Sequence, residues 1–218
     1  MIETLEIQDA LTRERDLLAQ TAKDPTQTHI LFWQSPQALV VPRRLSIRPA
    51  FAEARAQLET KGWPVVTRAT GGDVTPQGPG IVNVSLIYTP DGPPNIHESY
   101  DRLCTPMEHV LGDNASRGWN PGAFCDGAYN VQLNGLKFAG TAQRFKSCPG
   151  QGRSAVLSHA LMLLRPPLRQ EIDALNLLLS IMDEPRVIDI NAHAGLPSSI
   201  QPELFVRNLH AAYLKALT

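Results

Sequence analysis

The chain is poor in cysteine. Only Cys104, Cys125 and Cys148 occur in 218 residues, and no two of them form a C-x-x-C pair. A sparse, odd set argues against a disulfide framework and suits a reducing compartment. Net charge is also lacking: the formal value of -1 gives no bulk electrostatic drive toward nucleic acid or an anionic membrane. Long apolar runs are missing as well, since those around 155–164 and 175–182 are too short to span a bilayer. Residues 1–20 are charged at helical spacing and hold no apolar signal-peptide core. The expectation is a cytoplasmic protein with no nucleic-acid partner, no membrane partner and no protein-built metal site.

What is present is ordinary for a soluble globular chain: 43% hydrophobic and 19% charged residues. The length suits one large domain, or a domain with a small appendage, able to bury a sizeable core. Eighteen prolines imply many turns and extended connections. The spacing predicts a helix over 7–22, with Ala10, Leu11, Leu17 and Leu18 on one face, and a second over 49–61 stopped by Gly62. Short apolar runs at 29–33 and 38–41 flank Ser35-Pro36 as strand, turn, strand. Residues 63–67 form a strand running into Thr70-Gly71-Gly72, and 81–88 alternate as another. A third helix over 97–111 buries Tyr100, Leu103, Met107 and Leu111. Asn134-Gly135 marks a hairpin between 129–133 and 138–143. A strand over 155–164 and helices over 168–182 and 203–217 complete the chain. This order predicts an α+β fold with a mainly antiparallel sheet flanked by helices.

Three segments could carry chemistry. In Arg68-Ala69-Thr70-Gly71-Gly72, glycines let backbone N–H groups approach an oxyanion or carboxylate, and Arg68 could add a charged donor. A plain glycine turn after an edge strand explains the same residues. In Gly135-Leu136-Lys137-Phe138-Ala139-Gly140-Thr141-Ala142-Gln143, the small side chains leave room against the sheet and a fixed lysine could polarise a carbonyl. The alternative is a solvent-facing hairpin lysine. His159 precedes an apolar strand, where a satisfied structural histidine is the bland reading.

Taken together, the T-G-G turn, the G-L-K-F-A-G-T-A-Q stretch and the histidine ahead of an apolar strand resemble the lipoate-protein ligase A and octanoyltransferase family. The lysine stretch is the most specific part, similar to that family's G-x-K-(I/V)-(A/S)-G-(S/T)-A-Q. The resemblance covers residues 5–165 and implies the sheet-and-helix fold shared with biotin protein ligases. Residues 1–165 are expected to form the catalytic domain, and 166–218 a helical extension packed on it. The biotin-ligase loop G-R-G-R-x-G is absent. By position, the resemblance places Thr70, Gly71 and Gly72 around an acyl group and Lys137 on its carbonyl or adenylate. Arg68, Gly140, Thr141 and Ala142 would lie nearby, with His159 at the pocket's edge.

The first expectation is therefore an enzyme that attaches a lipoyl or octanoyl group to a lysine of a lipoyl domain. The acceptor would belong to 2-oxoacid dehydrogenase E2 or glycine cleavage H protein, and the acyl group would be activated by ATP and Mg²⁺ as an adenylate. The continuation Asp73-Val74-Thr75-Pro76-Gln77-Gly78-Pro79-Gly80 departs from the G-G-x-V-x-H-D-x-G-N of ATP-using ligases, and no full accessory domain is expected after residue 165. An ATP-independent alternative uses Cys125, in the loop before Lys137, as a nucleophile charged from an acyl carrier protein. The spacing of Cys125 from Lys137 is shorter than that branch leads one to expect. A third reading is a non-catalytic protein that binds acyl groups or lipoyl domains.

Overall fold

The computed structural model describes residues 2–69 and 71–217. In chain order the elements are β1 (Glu3–Thr4), α1 (Ile7–Lys23), β2 (His29–Gln34), β3 (Ala38–Pro42), α2 (Arg43–Ser46) and α3 (Phe51–Thr60). There follow β4 (Val65–Arg68), β5 (Thr75–Gln77), β6 (Ile81–Tyr88), α4 (Ile96–Leu111), β7 (Ala115–Arg117) and β8 (Val131–Leu133). The chain closes with β9 (Leu136–Ser147), β10 (Ser154–Leu163), α5 (Arg169–Ile181), a short 3₁₀ turn (Ile190–Ala192) and α6 (Pro202–Leu217). Apart from the one-turn helix α2, which the spacing does not reveal, every helix and long strand overlaps the segment where the apolar periodicity places it. The spacing does not reveal β1, β5 and β7, which are two or three residues long and too short to carry a period.

Among the described residues a seven-stranded sheet runs β1-β2-β6-β10-β9-β8-β7, and a three-stranded sheet runs β4-β3-β5. Apart from β1 on β2 and β3 on β4, the paired strands are antiparallel. The fold class is the α+β one expected.

β6 and β10 sit in the middle and are buried along almost their whole length, as strands covered on both faces must be. One face packs Val84, Ala160 and Met162 against Leu103 and Met107 of α4 and Phe205 and Leu209 of α6. The small sheet packs with α3 and α5 through Leu39, Leu58, Leu175 and Leu178. Asn95 starts α4, its side chain accepting from the N–H groups of His97 and Glu98.

The strand pairing places the candidate residues in rows. His159 on β10 lies between Ser85 of β6 and Ala142 of β9, and α1 crosses beneath that row. In the next row, Leu161 lies between Asn83 and Gly140. Side chains at 140 and 142 are small, so this side of β9 leaves a trough against His159 and Leu161.

One local irregularity matters more than any single element. β8 meets β9 as Val131 with Ala139 and Gln132 with Lys137, so Phe138 is an extra residue on β9, a β-bulge. A bulge reverses the alternation beyond it, which puts Lys137 on the same side as Gly140 instead of the opposite one.

Candidate active site

Lys137 is fully buried. The reading of it as a solvent-facing hairpin lysine is overturned, because the bulge turns its side chain inward. Its ammonium donates to the carbonyl oxygens of Phe124 (2.5 Å) and Cys125 (2.6 Å) and lies 4.9 Å from the centre of the Phe124 ring. Burial pulls its pKa down to about 8; the charges of Cys125 and Asp126 oppose that pull, and Arg68 adds to it. Gly140 is required beside it, since a Cβ there would stand 2.8 Å from the lysine Nζ.

These bonds hold Cys125 in an unusual backbone conformation, φ +46°. For a residue with a Cβ the left-handed region costs about 1–2 kcal/mol, and it persists only where surroundings enforce it. Here the lysine grips both carbonyls of the strained segment. The Cys125 sulfur receives the N–H of Asp73 at 3.2 Å and lies 3.9 Å from an Arg68 guanidinium nitrogen. The same Arg68 nitrogen donates to the Asp73 carbonyl at 2.9 Å. The Asp73 carboxylate is in turn gripped by Arg44 and Arg186. The glycine turn is thus pinned over the thiol.

Of the two glycines only Gly72 is constrained. Its φ is +93°, and a Cβ would sit 2.8 Å from Arg68 Nη2 and 3.0 Å from Cys125 Sγ; a Cβ on Gly71 would meet nothing within 4 Å. Gly72→Ala is accordingly expected to push arginine and thiol apart. It should cost about 1–2 kcal/mol of stability and at least tenfold in acyl transfer, with Gly71→Ala far milder. Urea melts and single-turnover rates of the two variants check this, and equal effects would refute it. Thr70 lies outside the described residues.

The remaining expected residues converge on the same place. Arg68, Cys125, Gly140, Thr141, Ala142 and His159 line one narrow slot. Cys125, Thr141 and Ala142 also border a second cavity, with Gly71 and Gly72. The slot encloses about 20 Å³ and the second cavity about 220 Å³.

Two buried polar residues beside the site, Glu14 and His193, escape sequence reasoning. Glu14 is 2% exposed on α1, where it accepts from Ser85 Oγ at 2.5 Å and Trp33 Nε1 at 3.2 Å. It faces His159 Nδ1 at 3.6 Å. Burial pushes its carboxyl up, but His159, Ser85 and Trp33 outweigh that and hold it low. His159 Nε2 is buried without a hydrogen-bond partner among the described residues. The signal was available: Glu14 is four residues from both Ala10 and Leu18, on the apolar stripe.

His193 gave no such signal, lying in a Pro- and Gly-rich connection. Its Nε2 accepts the Phe124 N–H at 3.2 Å and its ring stacks on Phe124 at 4.6 Å. Burial, then the Lys137 charge, pulls its pKa down to about 4. It is therefore neutral near pH 7 and able to accept that bond. Residues 193 and 194 also run beside Lys137, with Ala194 N–H donating to the Lys137 carbonyl at 2.8 Å.

This mixed sheet thus carries a buried lysine that holds a strained cysteine under a glycine turn. The lipoyl protein ligase A/B catalytic domain matches residues 6–201, and the chain belongs to that family. It is 33% identical over 180 residues to an octanoyl-[GcvH]:protein N-octanoyltransferase of Kyrpidia tusciae, covering 78% of this chain and 61% of that protein. The chain thus spans about three fifths of that relative's length. Lipoate-protein ligase A bound with ATP shares the fold, with TM-score 0.68 and 15% identity over all of this chain and 83% of that one. So does the Thermoplasma acidophilum putative lipoate protein ligase with bound lipoic acid, with TM-score 0.67 and 16% identity over 99% of this chain and 85% of that one. Among the described residues no helix is long and apolar enough to cross a membrane.

Proposed function

We propose that this protein transfers an octanoyl or lipoyl group from a donor protein to a lysine of a lipoyl domain, through a thioester on Cys125. The observation that carries the reading is the setting of the Cys125 sulfur, with the Asp73 N–H on it, Arg68 beside it and Lys137 on its carbonyl. A backbone donor and a cationic side chain thus hold the sulfur where the two cavities meet. The thiol attacks the donor's acyl carbonyl, its proton passes to the donor's departing amine or thiol, and a thioester forms. The neutral amine of the acceptor lysine then attacks that carbonyl, the C–S bond breaks, the amide forms and the amine's proton passes to the departing sulfur, restoring the thiol. Acceptors of this chemistry are the lipoyl domains of 2-oxoacid dehydrogenase E2 and glycine cleavage H protein. Donors are an octanoylated H protein, as in the name of the Kyrpidia relative, or an acyl carrier protein.

The adenylate route, the first expectation from sequence, becomes the second reading, because the residues fit ATP and Mg²⁺ poorly. The roomier cavity beside Cys125 is lined by Asp126 and by no lysine or arginine among the described residues. The arginines at the glycine turn are already engaged, Arg44 and Arg186 on the Asp73 carboxylate and Arg68 on its carbonyl. A triphosphate would meet a carboxylate where it needs cations.

The deciding experiment incubates the purified protein with an apo lipoyl domain and one donor at a time: octanoylated H protein, octanoyl-carrier protein, or free lipoate with ATP and Mg²⁺. Mass gain of the acceptor with an acylated protein alone is the expected result. Gain with lipoate and ATP alone would replace this reading with the ligase. Gain with none would leave a protein that only binds acyl groups or lipoyl domains.

A further inference from the structure

The slot and the larger cavity meet at Cys125, and they differ in chemistry. Beside Arg68, Asn83 and His159, the slot is walled by Phe124, Ala142, Ala160 and Leu161, whose apolar surface suits a saturated chain. The larger cavity is bordered by Tyr100, Tyr129 and Asp126. We propose that this cavity receives the amine of the acceptor lysine, with Asp126 and the paired rings of Tyr100 and Tyr129 as the residues that hold it. The assignment rests on the thioester reading and adds the acceptor's binding site to it.

Three features point to an ammonium on an aliphatic arm. First, Asp126 is a fixed carboxylate with a free face. Its Oδ1 accepts the N–H of Asn120 (2.6 Å), the N–H of Gly127 (2.8 Å) and Asn130 Nδ2 (3.0 Å). Its Oδ2 accepts no hydrogen bond among the described residues, which leaves that oxygen for a cation. Second, Tyr100 of α4 and Tyr129 stack at 3.9 Å with their planes 12° apart. Tyr129 is anchored at both ends, its hydroxyl on His97 Nδ1 and its carbonyl on Thr141 Oγ1. Rigid aromatic faces beside a carboxylate attract an ammonium and pack its methylenes. Third, among the described residues no lysine or arginine lines the cavity to repel it.

The placement also fits the order of events. The acyl carbonyl on Cys125 stands where the two spaces join, so chain and amine reach it through different spaces. Asp126 is the next residue after Cys125, which brings the bound amine to the thioester carbon. The bound ammonium first gives one proton to water; aminolysis then consumes one neutral amine and one thioester and gives one amide and one thiol, with the amine's proton passing to the departing sulfur.

The test separates the two half-reactions. Octanoyl p-nitrophenyl ester, a donor too small to need a docking surface, loads the enzyme; p-nitrophenolate release and intact mass report acylation. Apo lipoyl domain is then added and its acylation followed over a range of concentrations. For Asp126→Asn, which keeps the Oδ1 acceptor, and for Tyr129→Ala, the acceptor KM is expected to rise at least tenfold more than acylation slows. Tyr129→Phe, which keeps the ring, is expected to stay closer to wild type than Tyr129→Ala. Circular dichroism and melting checks establish that each variant is folded, and the asparagine variant serves if the alanine one is not. Acceptor KM values at the wild-type level in both Asp126→Asn and Tyr129→Ala would overturn the acceptor site alone. Failure of the wild-type protein to form any acyl-enzyme would overturn the thioester reading, and this assignment with it.

Discussion

Cys125→Ser is expected to lose transfer from an acylated protein donor by at least about a thousandfold, roughly 4 kcal/mol of transition-state stabilisation. The serine hydroxyl has nearly the same shape but is a far weaker nucleophile than a cysteine sulfur near neutral pH. No octanoylated enzyme should then appear by mass spectrometry. In the wild-type protein, iodoacetamide near neutral pH should modify Cys125 ahead of Cys104, whose thiol burial pushes up to about 12. Running the serine variant with both donor types settles the route. Full activity with either donor would sink the thioester, leaving Lys137 and the glycine turn as the parts to explain.

Lys137→Met should be nearly as damaging, and for two separable reasons. Methionine fills similar space but cannot donate, so the Phe124 and Cys125 carbonyls lose their partner in a buried place, at about 1–3 kcal/mol each. The cysteine is then free to leave its left-handed backbone conformation, and transfer should fall at least about a hundredfold, roughly 3 kcal/mol. The removal is not a surface change, as a lysine beside a hairpin would suggest, and the variant should be measurably less stable.

A pH signature identifies the cause. The lysine's folded pKa, about 8, lies below its ordinary value of 10.5. Between those values the unfolded chain holds a proton that the folded chain has lost, so stability rises with pH across that window. Below pH 8 both states are protonated and the folded state carries the full cost of the buried charge. Wild type should gain on Lys137→Met by roughly 3 kcal/mol from pH 8 to 10.5, read from urea midpoints at several pH values. Parallel curves for the two proteins would show that the lysine is not buried as a cation.

Apolar spacing alone located α1, β6, α4, β10, α5 and α6, because burying one face or one stripe imposes periods of two or 3.6 residues that the sequence must carry. The Asn134-Gly135 turn was legible for a similar reason: two consecutive residues with φ of +51° and +78° demand that chemistry. The G-L-K-F-A-G-T-A-Q stretch named the family, since small residues and one lysine on a single strand are too particular to recur by accident.

Only the folded chain decided what those residues do. Lys137 is buried because a bulge at Phe138 shifts the side-chain alternation by one, and no local pattern announces an extra residue between two strands. Cys125 meets Asp73 and Arg68 from more than fifty positions away, a contact set by how the small sheet closes over the large one. His193 comes from still further along, after α5, and supports Phe124 beneath the lysine. Local structure follows from neighbours in sequence, and the sequence carries it plainly. A site assembled from segments this far apart depends on packing, and packing is a property of the whole chain.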